Sequence, residues 1–250
     1  MNLLREKINN GETLRGTLIS LTDPAIAEIF GNAGFDCVWI DAEHTYMSYK
    51  DVLCHLSTAR SAGIATVVRV PQNDLTATKK ILEMGPDGII FPMVCSAKEC
   101  NDLIAMTLYP PRGTRGFGPL RAIGYAPERS RDYVEKESLS LGRFVQIEST
   151  ALIDELDEVA KNPYIDGFIF GPNDLSGSAG EMLNVFGERT VSEVRRAVDI
   201  LKKNNKKIGL ACGCRPEEIE FWKSFGLDMI FSGGDWSFIY AKATEVLKLL

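Results

Sequence analysis

Eight short runs of β-branched and other apolar residues recur along the chain, each followed by a longer segment with helical spacing, and no other feature restricts the fold as strongly. The runs are Arg15–Leu21, Cys37–Ala42, Thr66–Val70, Gly88–Val94, Arg143–Glu148, Gly167–Gly171, Lys207–Ala211 and Asp228–Ser232. Short apolar strands alternating with helices signal βαβ units around a parallel sheet. Eight such units within 250 residues match the typical size of a (β/α)8 TIM barrel, an α/β fold that closes one core without splitting. The expectation is a single (β/α)8 barrel domain over residues 1–250, with 45% hydrophobic residues supplying its core.

Local signals mark several boundaries. Asp23-Pro24 is expected to open the first helix after a strand, with Asp as cap and Pro at the first helical position, and Arg215-Pro216-Glu217-Glu218 starts another with acids in its first turn. Gly34, Gly63, Gly85 and Gly226 each lie between a helix and the next strand, where a left-handed helix stop suits glycine. The stretch from Tyr109 to about Pro127 is too long for a simple connector and reads as either functional or disordered.

In such a barrel the chemistry sits at the C-terminal ends of the strands. That filter returns Asp41, Glu43 and His44 after the second strand, Arg69 at the end of the third, Gln146 and Glu148 at the end of the fifth, Asn173 and Asp174 past the sixth, and Ser232 and Asp235 after the eighth. Glu148 and Asp174 project from neighbouring strand ends toward one rim. Two carboxylates leave most of an octahedral shell for water and substrate oxygens, and all-oxygen ligation favours Mg2+ or Mn2+, with Co2+ as a further candidate. The competing reading is that each acid caps the helix that follows it. His44 follows Asp41 by three residues, a spacing at which the carboxylate can orient the ring and raise its basicity; the competing reading is a hydrogen-bonded loop histidine. His55, within a helical stretch, reads as a helix-surface or packed residue. Arg69, at the mouth of an apolar strand, must pair with a carboxylate or face a ligand's negative charge.

Other chemistries find less support. No lysine falls at the C-terminal end of an assigned strand, so a Schiff-base route lacks its desolvated amine. Ser232-Gly233-Gly234-Asp235 could present N–H groups to a phosphate, as in a phosphosugar-binding isomerase barrel, although Asp235 opposes a dianion there. A net charge of −6 argues against nucleic acid, and the lysines at 202, 203, 206 and 207 read as a solvated helix end. The six cysteines show no Cys-x-x-Cys spacing, which suits a reduced, cytoplasmic interior. The charged amphipathic start, Met1-Asn-Leu-Leu-Arg-Glu-Lys-Ile, is unlike a signal peptide, and no apolar run has membrane-spanning length.

Five segments taken together, Gly34-Phe-Asp-Cys-Val-Trp-Ile-Asp-Ala-Glu-His44, Val68-Arg-Val-Pro71, Tyr109-Pro-Pro-Arg-Gly-Thr-Arg-Gly116, Gln146-Ile-Glu148 and Gly171-Pro-Asn-Asp-Leu-Ser176, give a chain that resembles the HpcH/HpaI family of metal-dependent pyruvate aldolases, within the phosphoenolpyruvate/pyruvate barrel superfamily. The resemblance implies a class II aldolase that reversibly cleaves a 4-hydroxy-2-oxo acid to pyruvate and an aldehyde through a divalent-metal-bound pyruvate enolate. It implies Glu148 and Asp174 as metal ligands, Gln146 and the segment Gly171, Pro172, Asn173 and Asp174 as the pyruvate-binding surface, His44 with Asp41 as the base, and Arg69 as the enolate stabiliser. Glu83 stands where the family commonly has an Asp that supports the catalytic histidine, thought to come from a neighbouring subunit. Asn173 replaces a residue that is often small, and Pro86 alters the usual Gly-Ala. The resemblance also implies a homohexamer with the Arg112–Gly116 loop near a neighbour's active site. Related readings are a metal-dependent 2-oxo acid decarboxylase, an acyl-CoA lyase, and a binding barrel without catalysis.

Overall fold

Eight parallel strands, β1 (Leu14–Ile19), β2 (Cys37–Asp41), β3 (Ala65–Arg69), β4 (Gly88–Phe91), β5 (Gly142–Ile147), β6 (Gly167–Phe170), β7 (Lys207–Cys212) and β8 (Met229–Gly234), pair in sequence order, and β8 closes on β1. The structure is a computed structural model and describes residues 2–11 and 13–250. The helices are α1 (Leu3–Asn9), α2 (Ala25–Ala33), α3 (Tyr49–Ser61), α4 (Leu75–Glu83), α5 (Ala97–Ala105), α6 (Ser130–Glu135), α7 (Thr150–Asp154), α8 (Leu156–Val159), α9 (Pro172–Ser178), α10 (Glu188–Lys203), α11 (Pro216–Lys223) and α12 (Asp235–Leu247). All eight expected strands are present, with ends shifted by a few residues at most.

Alternation along the strands divides the core in two. Trp39, Val67, Ile90, Phe144, Ile169 and Phe231 fill the barrel interior, while Val38, Ile40, Val68, Ile89, Val145, Phe168 and Leu210 face the surrounding helices, as a pleat with a period of two residues requires. The amphipathic start becomes α1, which plugs the N-terminal mouth with Leu4 fully buried against the interior cluster. Gly88 and Gly142 make the room, since a Cβ on either would lie 2.8 Å from the Leu4 Cδ2. Burying a leucine is worth about 1.5–3 kcal/mol, so α1 is held as core rather than as a tail.

A fourfold device fastens that same end. Asp36, Asp87, Asp166 and Asp228 each stand immediately before an even-numbered strand. Each carboxylate accepts a backbone N–H from the preceding odd-numbered strand: Asp36 from Arg15 at 3.0 Å, Asp87 from Thr66 at 3.0 Å, Asp166 from Arg143 at 2.8 Å and Asp228 from Ile208 at 2.9 Å. Arg5 carries the plug into this ring, forking onto Asp166 and donating to the Leu141 carbonyl at 2.9 Å.

The four glycines expected to stop helices do so, all with φ between 69° and 93°. The first barrel helix differs in detail: Pro24 occupies the cap, and the Asp23 carboxylate accepts the Ala25 N–H at 2.9 Å, because an Asp side chain reaches readily to the amide two residues on. The 109–127 stretch is organised around the buried Arg115, whose guanidinium lies 4.6 Å from the Tyr109 ring centroid and 5.6 Å from that of Tyr133.

Candidate active site

The pairing of β2 with β3 sets Asp41 beside Arg69 in register, and the two side chains lock as a fork. Arg69 Nε donates to Asp41 Oδ1 at 2.9 Å and Nη2 to Oδ2 at 2.6 Å, with both residues buried. Trp39, two residues before Asp41 on the same face of β2, lies under the guanidinium with its ring centroid 5.1 Å from Cζ. The remaining edge of Arg69 reaches Glu43 Oε2 at 3.1 Å and Gln146 Oε1 at 3.3 Å. Gln146 in turn donates through Nε2 to Glu148 Oε1 at 2.7 Å. A continuous chain, Asp41–Arg69–Gln146–Glu148, thus spans the C-terminal ends of β2, β3 and β5.

Glu148 is held from two further sides. Its Oε2 accepts the Met93 N–H at 2.7 Å, and Met93 takes a left-handed backbone, φ 53°, to present it. Gly171, at the end of β6, leaves the space the carboxylate occupies: a Cβ there would stand 2.6 Å from Glu148 Oε1 and 2.8 Å from its Cγ. The helix-capping alternative does not describe Glu148, because Ser149 caps α7 by accepting the Leu152 N–H. Pro172 is the first residue of α9, Asn173 is exposed, and Asp174 lies exposed in the first turn of a helix whose Gly171 cap has no side chain to offer.

The rim carries more negative charge than its arginine balances. Burial pushes the Glu148 carboxyl up to about 7, and Asp174 and Glu43 add to the rise against the pull of the Met93 N–H and Arg69. Glu43 is raised as well, by burial first and by Asp41 and Asp174 in addition, while Arg69 and His44 oppose the rise. Four carboxylates, Asp41, Glu43, Glu148 and Asp174, therefore share one guanidinium and a histidine. A hard divalent cation fits such a surplus of acidic oxygens. Among the described residues no group of three or more His, Cys, Asp or Glu is placed to hold a metal, so an ion here would be held by fewer side chains, for which Glu148 and Asp174 are the candidates.

Other site residues fall differently from the sequence reading. Asp41 does not orient the His44 ring: its carboxylate is committed to Arg69, and from this side of the turn it receives only the backbone N–H groups of Glu43 at 3.0 Å and His44 at 3.4 Å. The physical reason is that a permanent guanidinium cation in register outcompetes an imidazole on a loop. The His44 ring is largely exposed, and Glu43 Oε2 lies 3.6 Å from its Nε2. Glu83 ends α4, where the Arg115 Nη2 meets its Oε1 at 3.3 Å, and within this chain it belongs to the Arg115 cluster rather than to His44. His55 is packed and bonded through Nε2 to the Leu21 carbonyl at 2.9 Å, its pKa lowered by burial. Asp235 is buried and accepts the N–H groups of Ser20 and Leu21 at 2.9 and 2.8 Å. The Gly234 N–H is taken by Ser237 Oγ at 3.0 Å, and a buried carboxylate beside that turn repels a dianion, which weighs against the isomerase reading.

Three contributors escaped the sequence analysis: Trp39, Met93 and the Glu43–His44 proximity. Trp39 was recoverable from its spacing to Asp41. The Met93 amide had no signal, since a backbone donor is independent of side-chain identity.

A closed barrel whose strand ends gather acidic oxygens around one arginine is equipped to hold a hard cation at the face where such barrels do their chemistry. Residues 16–212 match the family model described as HpcH/HpaI aldolase/citrate lyase, and the chain belongs to that family. It is similar to a hydroxypyruvate/pyruvate aldolase of Roseovarius nubinhibens, 28% identical over 98% of this chain and 95% of that one. It is also similar to a 2-keto-3-deoxy-L-rhamnonate aldolase of Escherichia coli, 29% identical over 98% and 91% of the respective chains. The crystal structure of an HpcH/HpaI aldolase/citrate lyase family protein from Burkholderia cenocepacia superimposes with a TM-score of 0.92 at 25% identity, covering 99% of this chain and 98% of that one.

Proposed function

We propose that this enzyme is a divalent-metal-dependent aldolase that reversibly cleaves a 4-hydroxy-2-oxo acid to pyruvate and an aldehyde. The observation that carries the reading is the negative rim itself: Glu148, buried and raised to about 7, beside Asp174 and tied through Gln146 to Arg69. The aldolase names of relatives covering nearly the whole chain agree with it.

Glu148 and Asp174 would hold Mg2+ or Mn2+, with Co2+ as a further candidate, and the ion would supply a Lewis acid that polarises the 2-oxo group. Gln146 and the Gly171–Asp174 turn orient the oxo-acid end. His44, with the Glu43 carboxylate beside its ring, takes the proton from the C4 hydroxyl. The C3–C4 bonding pair then passes to the pyruvate unit, the aldehyde leaves, and Arg69 balances the charge gathering on the enolate oxygen until C3 receives a proton. Asp41 keeps the Arg69 fork in its plane.

The chain further reads as a homo-oligomer, a hexamer by family resemblance. In support, α12 leaves Trp236, Ile239, Tyr240 and Leu247 exposed, an apolar face that a subunit contact would cover. No helix of the described residues is long and apolar enough to cross a membrane, and six free thiols agree with a cytoplasmic setting.

The test is an assay of pyruvate release from several 4-hydroxy-2-oxo acids, alongside oxaloacetate, before and after exhaustive chelation. Aldol cleavage should disappear with EDTA and return with Mg2+ or Mn2+. Cleavage that persists after chelation, or decarboxylation of oxaloacetate with no aldol cleavage of any substrate, would sink the proposal.

A further inference from the structure

The N-terminal half of the barrel wall holds a cavity of about 720 Å3, bounded by the starts of β3, β4 and β5 and by the 121–141 segment. It lies at the end of the barrel opposite this chain's own carboxylate rim. Its wall carries Arg60, Arg115, Arg121, Arg129 and Lys136 against only Asp87 and Glu137, in a chain whose net charge is −6.

The balancing of these cations is uneven. Arg129 pairs with Glu137 at 2.8 Å, Lys136 with Asp132 at 3.3 Å, and Arg115 with Glu83 at 3.3 Å. Arg60 and Arg121 make no ion pair among the described residues. Arg121 spends its donors on the Met84 carbonyl and on Ser57 Oγ, and burial together with the like charge of Arg60 pulls its pKa down. Arg115 is only 2% exposed, yet its Nε finds no partner. The Asp ring supplies a control: Asp36, Asp166 and Asp228 are each neutralised by an ion pair, while Asp87 takes only N–H and hydroxyl donors and leaves its nearby Arg60 unpaired. Cations held together in a cavity without matching acids carry a standing repulsion that an oxyanion relieves, and forked guanidinium groups suit carboxylate and phosphate oxygens alike. The volume falls within the range of small-molecule sites.

We propose that this cavity binds a small, multiply charged oxyanion, phosphoryl or polycarboxylate, at a site separate from the active centre, with Arg60 and Arg121 as its principal contacts.

Calorimetric titration of the metal-loaded enzyme, with its active site filled by saturating oxamate, tests the idea at low ionic strength. Inorganic phosphate and tricarballylate serve as probes, and whichever binds more tightly names the class of ligand. The expected result is saturable binding, weakened about tenfold by Arg60→Ala, as loss of one charged hydrogen-bond donor implies, and abolished by Arg60→Glu. The Arg60 side chain is exposed and makes no ion pair among the described residues, so both variants should fold, and circular dichroism checks that they do. The absence of binding by either probe, or binding equal in wild type and both variants, overturns the proposal.

Discussion

The two ends of this barrel use carboxylates in opposite ways. At the N-terminal end four Asp residues sit one per strand pair, each satisfied by a backbone N–H of the neighbouring strand, and three of them also by Lys or Arg. Even the fully buried Arg143 there donates to Thr107 Oγ1 and to the Ser138 and Leu141 carbonyls. At the C-terminal end Asp41, Glu43, Glu148 and Asp174 crowd around one Arg69, and the pKa values of Glu43 and Glu148 rise. Carboxylates whose oxygens are met by donors from the neighbouring strand hold a fold together. Unmatched charges, kept in place by an otherwise rigid frame, are what a cation and an ionising substrate can use.

This contrast predicts that changes at the two ends will separate activity from stability. The largest effect is expected for Glu148→Ala, which should lower kcat/KM by about 10³-fold, the several kcal/mol of charge stabilisation that a catalytic ion provides; wild-type kinetics would break the comparison at once. Arg69→Ala should cost about 10²–10³-fold in kcat, as loss of a charge-stabilising donor does. Arg69→Lys should restore little, because an ammonium cannot fork onto Asp41 while also reaching Gln146.

A pH experiment sharpens the same point. Glu148 titrates at about 7 in the fold against an ordinary 4.5. Between those values the metal-free native protein keeps a proton that the unfolded chain has released. The associated stability is therefore full below about pH 4.5 and drains away as pH rises toward about 7. Urea unfolding in EDTA should show Glu148→Gln gaining on wild type by up to about 3 kcal/mol over that interval, and parallel profiles would show the charge surplus to be absent.

Gly171→Ala places a methyl group against Glu148 and should weaken metal affinity about 10–100-fold, the usual effect of disturbing a ligand's support, measured by Mn2+ titration. The smallest effect belongs to the other end. Arg5→Ala removes the fork onto Asp166 and should lower unfolding free energy by about 1.5 kcal/mol with kcat unchanged. A fall in kcat instead would mean that the two ends are coupled.

How much of this was legible beforehand can be followed residue by residue. Val67, Val68 and Arg69 read as a strand with a charged mouth, and so they are. Glu148 and Asp174 emerged from the rule that strand ends carry chemistry, and Gly85 and Gly226 from the geometry of helix stops. Asp36, Asp87, Asp166 and Asp228 were equally visible as single letters before alternate strands, but their meaning depends on which strand lies alongside. Asp41 shows the same limit: its spacing to His44 suggested one partner, and the register of β2 on β3 assigned another.

The sequence alone determined the periodicities, and hence the eight βα units, their order, and the set of polar residues delivered to the C-terminal rim, because local backbone geometry converts spacing directly into facing. Only the tertiary structure decided who meets whom there: Arg69 with Asp41, Glu148 with the Met93 amide, Leu4 with the space above Gly88 and Gly142. Contacts between residues dozens of positions apart follow from strand register and barrel closure, which are properties of all the strands together and of no single segment.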